Sequence, residues 1–525
     1  MAARRWWQDA VVYQIYPRSF ADSNADGIGD VRGIISRLDY LVELGVDAVW
    51  ISPIYPSPMA DFGYDVADYC GVDPLFGTLA DVDALIAAAH GRGLRLILDF
   101  VPNHSSNTHP WFMASRASRD NPKRDWYIWR AGAPDGGPPN NWLSHFGGPA
   151  WEWDPATGEY YLHSFLREQP DLNWRNPEVR AAMYDALRFW LDRGIDGFRV
   201  DVMWLLIKDD QFRSNPPNPA HAPDRGSYDR LLPLYTADRP EVHDIVAELR
   251  RLVDSYGDRV LIGEIYLPIE RLMAYYGRDL SGAHLPFNFQ LIDAPWNAEA
   301  LASIVRDYEA ALPAGAWPNW VLGNHDKSRI ASRVGAAQAR VAAMLLLTLR
   351  GTPTLYYGDE LGMLDVPVAS ERVTDPAEKN QPGIGLGRDP ERTPMLWDGS
   401  PRAGFTTGEP WLPLGEHDCI NVAAERARPD SMLALHRRLL ALRRSHPALT
   451  RGALRSIRSL EDVLMYERCA GDERLTAVLN LGHAAREVPL GPARIVLSTH
   501  LDRAGESVVA GVLFLRPAEG VLLAE

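Results

Sequence analysis

Gly197-Phe198-Arg199-Val200-Asp201 is an apolar run that ends in a carboxylate, with Arg199 two residues before Asp201. On a pleated strand those two charged side chains share one side. The run has counterparts on either side of it. Val11 to Tyr16, Ala48 to Ile51 and Leu94 to Phe100 precede it, and Val260 to Gly263, Trp320 to Leu322 and Thr354 to Tyr357 follow. Between them lie amphipathic stretches at Gly33 to Leu44, Leu79 to His90, Pro177 to Leu191 and Glu241 to Ser255. Asn176 followed by Pro177 is a helix-start signal. Strand and helix in alternation argue an α/β fold with a parallel sheet. The repeat count is near eight, the charged side chains stand at strand C-terminal ends, and no glycine-rich phosphate turn follows the first strand. Those features favour closure into a (β/α)8 TIM barrel over a doubly wound sheet.

The alternation breaks in three places. Residues 104–174 hold seven tryptophans, among them Trp126, Trp129, Trp142 and Trp151, and read as a small domain inserted after the third strand. About 363–409 is a second insertion, rich in Pro, Gly and charge. From residue 452 short strands and turns replace the helical pattern, as in Leu475 to Asn480 and Val512 to Leu515. The expected division is therefore a barrel over 1–103 and 175–451, the inserted domain over 104–174, and an antiparallel β domain over 452–525.

Composition narrows the function classes. Hydrophobic residues make up 46% and charged residues 23%, which suits a globular chain. A net charge of −15 without a basic tract argues against a nucleic-acid partner. Cys70, Cys419 and Cys469 form neither a disulfide framework nor a CxxC pattern, as in a reducing compartment. Two arginines, Arg4 and Arg5, stand near the start, but no apolar stretch follows them, so no secretory signal is read. The longest apolar stretch, Ala342 to Leu349, is too short for a membrane span. A cytoplasmic setting without membrane attachment is expected, as monomer or homodimer.

Two further strands end in acid. Leu261-Ile262-Gly263 leads to Glu264, whose surroundings should raise its pKa and suit it to general acid work. Leu322-Gly323-Asn324 leads to His325 and Asp326. Arg199 beside Asp201 would hold that carboxyl ionised and nucleophilic, although an Arg–Asp pair can equally do no more than tie strands together. Retaining cleavage of a glycosidic bond needs such a set: one carboxylate attacks the anomeric carbon, while another protonates the leaving oxygen and then activates water. A third can grip hydroxyls as the ring flattens toward an oxocarbenium ion.

These residues carry a resemblance. Asp99-Phe-Val-Pro-Asn-His104, Gln169-Pro-Asp-Leu-Asn173, Gly197 to Asp201, Gly263-Glu264, Asn324-His-Asp326 and Arg392-Thr-Pro-Met395 are together similar to glycoside hydrolase family 13. Within that family the chain looks most like the oligo-1,6-glucosidase and α-glucosidase branch. The resemblance implies Asp201 as nucleophile, Glu264 as acid/base and Asp326 as transition-state stabiliser. It also implies that Asp61 and Arg392 grip the terminal glucose and close the pocket for exo action. Tyr64 would stack on the sugar ring, while His104, Arg199 and His325 would bond hydroxyls or the nucleophile. Asp61-Phe62-Gly63-Tyr64-Asp65 does offer an aromatic platform beside a carboxylate, as would an ordinary loop with a buried Tyr. The implied substrates are small α-glucoside oligosaccharides.

Asp22, Asn24, Asp26 and Asp30 space oxygen ligands like the front of an EF-hand loop, but Gly33 stands where the twelfth-position Glu would be. The loop is therefore no EF-hand. It resembles instead the structural Ca2+ or Mg2+ site of bacterial members of the branch, with Ile28 supplying a carbonyl. The alternative is a turn whose Asp and Asn side chains bond local backbone. Val202, directly after Asp201, matches the residue type that accompanies α-1,6 acceptance, so isomaltose-type links are expected, although Val202 could simply pack beneath the loop. Trp204 to Asp209 and Asn215 to Asp224 would shape the aglycone side. Trehalose synthase, sucrose isomerase and transglucosidase activities share the same carboxylates and are the rival readings. A non-catalytic transporter heavy chain would lack the need for three carboxylates and would carry an anchor.

Overall fold

The computed structural model describes residues 4–222, 225–508 and 511–524. Eight parallel strands follow one another around a barrel. They are β1 (Val12–Ile15), β2 (Ala48–Ile51), β3 (Arg95–Phe100), β4 (Gly197–Val200), β5 (Val260–Gly263), β6 (Leu285–Pro286), β7 (Asn319–Val321) and β8 (Thr352–Tyr356). β8 pairs with β1, and a parallel bridge between Asn288 and Trp320 joins the β6 side to β7 and completes the circle. The sequence reading lacks β6. Two residues are too few to show a period, and Pro286 reads as a strand breaker.

Alternation along each strand sorts the side chains into two sets. Val12, Ala48, Trp50, Ile97, Val260, Ile262, Leu285 and Val321 cluster together and fill the barrel. Tyr13, Val49, Leu96, Leu98, Phe198, Val200, Leu261 and Leu355 belong to the larger core beneath the helices. Each fully buried aliphatic side chain contributes about 1.5–3 kcal/mol relative to exposure. Gly197 belongs to the inner set, and a Cβ there would lie 2.3 Å from the Val260 carbonyl oxygen. Only glycine lets β4 and β5 approach at that level.

The stretch Gly33 to Leu44, read as one helix, is divided at Arg37 into Val31–Ser36 and Leu38–Leu44. Between β3 and β4 the strands Trp129–Arg130, Trp151–Asp154 and Glu159–Leu162 form a small antiparallel sheet. Its size explains the tryptophans: with little aliphatic area available, stacked rings such as Trp142 on Trp151 (5.9 Å) and Phe112 on Trp129 (5.7 Å) supply its apolar packing. Past residue 452 a six-stranded antiparallel sheet and a two-stranded one form the C-terminal unit. The apolar run Ala342 to Leu349 lies almost wholly in the buried helix Ala336–Thr348. Among the described residues no helix is long and apolar enough to cross a membrane.

Candidate active site

The barrel's inner face turns polar at the C-terminal ends of its strands. Asp201 follows β4 directly and its N–H donates to the Phe100 carbonyl at 2.8 Å; Glu264 follows β5 and donates to the Val200 carbonyl at 3.0 Å. Arg199, fully buried on the inner face of β4, stands in register with Asp99 on β3. Its Nη1 donates to Asp99 Oδ1 and to Asp201 Oδ1, both at 2.8 Å, and its Nη2 lies 2.7 Å from Glu264 Oε2. One guanidinium therefore holds Asp201 and Glu264 within its own span. Its ring-like plane lies over Trp50, 5.0 Å from the centroid. Glu264 Oε2 also accepts the Val202 N–H at 2.8 Å.

Burial is the largest influence raising the pKa values of Asp99, Asp201 and Glu264, and Arg199 opposes it in all three. The expectation that Arg199 holds Asp201 ionised is thereby corrected, since burial outweighs Arg199 and raises that carboxyl as well; three carboxyls around one guanidinium favour a shared proton.

Asp326 behaves oppositely. Burial works to raise its pKa, but the Arg388 and Arg392 guanidiniums outweigh it and hold the carboxyl well below the usual carboxylate range. Arg388 Nη1 and Arg392 Nη2 donate to Asp326 Oδ1 at 3.1 and 2.8 Å. His325 is held by burial as a neutral imidazole. Gln14 Nε2 lies 2.8 Å from its Nδ1, and Tyr64 Oη lies 2.6 Å from its Nε2. Tyr64 donates to Asp99 Oδ2 at 3.0 Å and its ring stacks on His325 at 5.3 Å.

Arg392, expected to grip the terminal glucose alongside Asp61, is not among the residues that line the cavity, and Arg388 stands beside Asp61 instead. Arg388 Nη2 donates to Asp61 Oδ1 at 2.7 Å, while its Nε donates to Asp375 Oδ2 at 2.6 Å. Arg392 lies fully buried behind Asp326, its Nε donating to the His325 carbonyl at 2.7 Å. The two arginines are four residues apart across the turn Pro390–Arg392, and only packing decides which one faces outward. Burial raises the Asp61 pKa to about 6 despite Arg388.

These groups line a cavity of about 540 Å³. Asp61, Tyr64, His104, Asp201, Val202, Glu264, His325, Asp326 and Arg388 all contribute to its wall. A cavity of similar size at the opposite mouth of the barrel, lined by Asp47, Arg95 and Arg443, holds none of them. Sequence reasoning missed Arg388, Gln14 and the aromatic wall of Phe146, Phe165, Tyr228 and Tyr266. Arg388 carried a signal, a second arginine beside Arg392; Gln14 carried none. Val202 is a β-branched residue in left-handed backbone, φ 38°, which only well-packed surroundings sustain. Trp204 and Asn218 also reach the cavity, whereas Lys208 is buried behind it. Of the loop Asn215 to Asp224, residues 223 and 224 lie outside the described residues, as does 1–3 at the chain start.

In the loop from Asp22 to Asp30 the side chains serve the backbone. Asp22 Oδ1 accepts from Asn24 and Ala25 N–H, both at 2.8 Å, and Asp26 Oδ1 from Ile28 N–H at 2.8 Å. Asp30 caps the helix Val31–Ser36 by accepting from Gly33 N–H. The donor set consists of hard oxygens, as Ca2+ or Mg2+ requires. Among the described residues, however, no group of three acidic, His or Cys side chains is arranged to hold a metal ion.

Comparison with known proteins fits this geometry. A probable alpha-glucosidase of Rhizobium meliloti (strain 1021) is 42% identical, over 93% of this chain and 92% of its own. An oligo-1,6-glucosidase of Parageobacillus thermoglucosidasius is 41% identical, over 91% and 90%. The crystal structure of an alpha-glucosyl transfer enzyme superposes with TM-score 0.94 at 42% identity, covering 99% of this chain and 100% of that one. The family model described as "Alpha amylase, catalytic domain" matches residues 14–452, and the chain belongs to that family of glycoside hydrolases.

Proposed function

We propose that the enzyme is a retaining, exo-acting α-glucosidase that removes terminal α-glucosyl units from short oligosaccharides, with a lean toward α-1,6 links. The observation that carries this reading is the single Arg199 guanidinium shared by Asp201 and Glu264. Retention needs two carboxyls near enough to flank one bond, roughly 5 Å apart. In this reading Asp201 attacks the anomeric carbon and forms a glucosyl ester. Glu264 donates the retained proton to the glycosidic oxygen, then takes a proton from water as the ester is hydrolysed. Asp326, kept ionised by two guanidiniums, accepts hydrogen bonds from sugar hydroxyls that strengthen as the ring flattens. The Asp61–Arg388 pair closes one end of the cavity and supports exo action. Tyr64 supplies an apolar face to the sugar and His104 and His325 supply polar edges.

Transfer of the glucosyl unit to a sugar acceptor instead of water is the second reading. The name of the glucosyl transfer enzyme that superposes on this chain and the aromatic wall beyond Val202 both favour it. The loop's Asp22, Asn24, Asp26 and Asp30 side chains, with the Ile28 carbonyl, would hold a structural Ca2+ or Mg2+ if Asp22 and Asp26 turned toward it.

Proton NMR of early product from p-nitrophenyl α-glucoside, whose aglycone is not a sugar, together with rates on isomaltose and maltose, tests the main reading. The α anomer of glucose should appear first, with isomaltose the faster substrate; β-glucose as initial product would end the retaining mechanism. Formation of trisaccharide with one glucose released per transfer, in place of two glucoses per disaccharide, would favour transfer.

A further inference from the structure

An imidazole stands in the aromatic wall of the cavity with no protein group to bond. His145 lines the cavity beside Phe146, Phe165 and Tyr228. Phe165 stacks on its ring at 4.8 Å and 16°, and Tyr228 at 3.7 Å and 22°. Two rings so close and so nearly parallel to the imidazole would collide if they shared one face, so they cover opposite faces. Only the edge of the imidazole is left to meet the cavity, and that edge carries both nitrogens. The backbone N–H of His145 donates to the Ser164 carbonyl at 2.9 Å, but among the described residues no group hydrogen-bonds to either ring nitrogen. Histidines that serve only the fold are satisfied: His163 Nδ1 lies 2.9 Å from the Phe165 carbonyl and His436 Nδ1 3.1 Å from that of Met432. Burial lowers the His145 pKa to about 3, so near pH 7 the ring is neutral, with one nitrogen able to donate and the other to accept. A hydroxyl, which donates and accepts at once, matches such an edge.

The place of the ring along the cavity decides which hydroxyl it can meet. His104 marks the glycone end, since Gln169 Nε2 lies 3.1 Å from His104 Nε2 and donates to Asp61 Oδ2 at 3.2 Å. Phe165 stands between the two histidines, 5.1 Å from His104 and 4.8 Å from His145. Tyr228 comes from the loop after β4, on the side of the cavity beyond Val202. The order His104, Phe165, His145, Tyr228 therefore runs from the first sugar toward the second. Gln381 holds this arrangement together. Its Oε1 accepts the Ser227 N–H at 2.8 Å, and a Cβ at Gly147 would lie 2.7 Å from its Cγ, so one side chain packs against both loops that carry the stack.

We propose that His145 is a specificity-determining residue whose ring edge bonds a hydroxyl of the second sugar, the aglycone, and so separates glucosides of sugars from glucosides of apolar alcohols. This role rests on the α-glucosidase reading of the site.

The test compares full-length wild type with His145→Phe, which keeps the stack and removes the nitrogens. The substrates are isomaltose and cyclohexylmethyl α-glucoside, whose leaving ring is of the same size but bears no hydroxyl. His145→Phe should lower kcat/KM about three- to tenfold on isomaltose and by less than about twofold on the cyclohexylmethyl glucoside. Equal losses on both substrates would make the ring a packing element, and an unchanged value on isomaltose would mean that it bonds no hydroxyl; either result overturns the proposal. If His145→Phe does not fold, His145→Leu takes its place. Failure of both to fold overturns the proposal too, because the ring would then serve packing alone. Wild type that cleaves neither glucoside brings down the α-glucosidase reading, whereas cleavage of both with an unaffected variant brings down only the role of His145.

Discussion

Arg388 donates from Nη2 to Asp61 Oδ1 at 2.7 Å and so ties the loop after β2 to the segment after β8 across one end of the cavity. The pair is buried and fails if either partner loses its charge. Asp61, raised to about 6, gains its proton as pH falls through that value and regains its charge above it. KM for p-nitrophenyl α-glucoside should therefore fall as pH rises through about 6. Arg388→Met removes a cation that lowers the Asp61 pKa, so the limb should move to higher pH and KM rise about tenfold or more. Initial rates across pH in both proteins check this; a flat KM through that range contradicts the role given to Asp61.

Asp201→Ala should abolish turnover of p-nitrophenyl α-glucoside, by about 10⁴-fold or more, while circular dichroism and thermal melts show an intact fold. Glu264→Gln should lower kcat/KM, which reports only formation of the ester, severely on maltose and mildly on a substrate whose leaving group needs no proton, such as α-glucosyl fluoride. Equal losses on both substrates would deny Glu264 the part of acid.

Val202 stands at the cavity in left-handed backbone and donates its N–H to Glu264. Val202→Thr keeps the branching at Cβ, and with it the backbone strain, while changing the wall from apolar to polar. The ratio of isomaltose to maltose turnover should fall by up to about tenfold, since one side chain alters discrimination by only ~1–3 kcal/mol. An unchanged ratio would leave Val202 a packing residue.

Chelation by EDTA should lower the melting temperature, with Ca2+ or Mg2+ restoring it, if the loop from Asp22 to Asp30 holds a cation. Saturation at a hundred times Kd would stabilise the fold by about 2.7 kcal/mol. Asp26→Ala should abolish the response. A melting temperature indifferent to EDTA means that the loop's side chains serve only its own amides.

Much of the scaffold was legible because it follows from short-range rules. Seven of the eight strands announce themselves as apolar runs, and Asn176 with Pro177 marks the start of the helix Pro177–Asp192. β6 escaped because Leu285-Pro286 carries no period and is made a strand by its neighbours alone. The carboxyls at the ends of β4, β5 and β7 were visible because strand ends place them. Their electrostatics were not, since Asp326 owes its low pKa to Arg388 and Arg392, residues over sixty positions away.

From its sequence alone this chain is a (β/α)8 barrel with Asp201, Glu264 and Asp326 at its mouth, because period-2 alternation and strand termination are local properties of the chain. Tertiary structure decided that Arg388 rather than Arg392 meets Asp61, that Gln14 contacts His325, and that Lys208 donates to Asn103. Those choices depend on which side chains remain once the barrel has closed and excluded water, when every buried donor must find an acceptor.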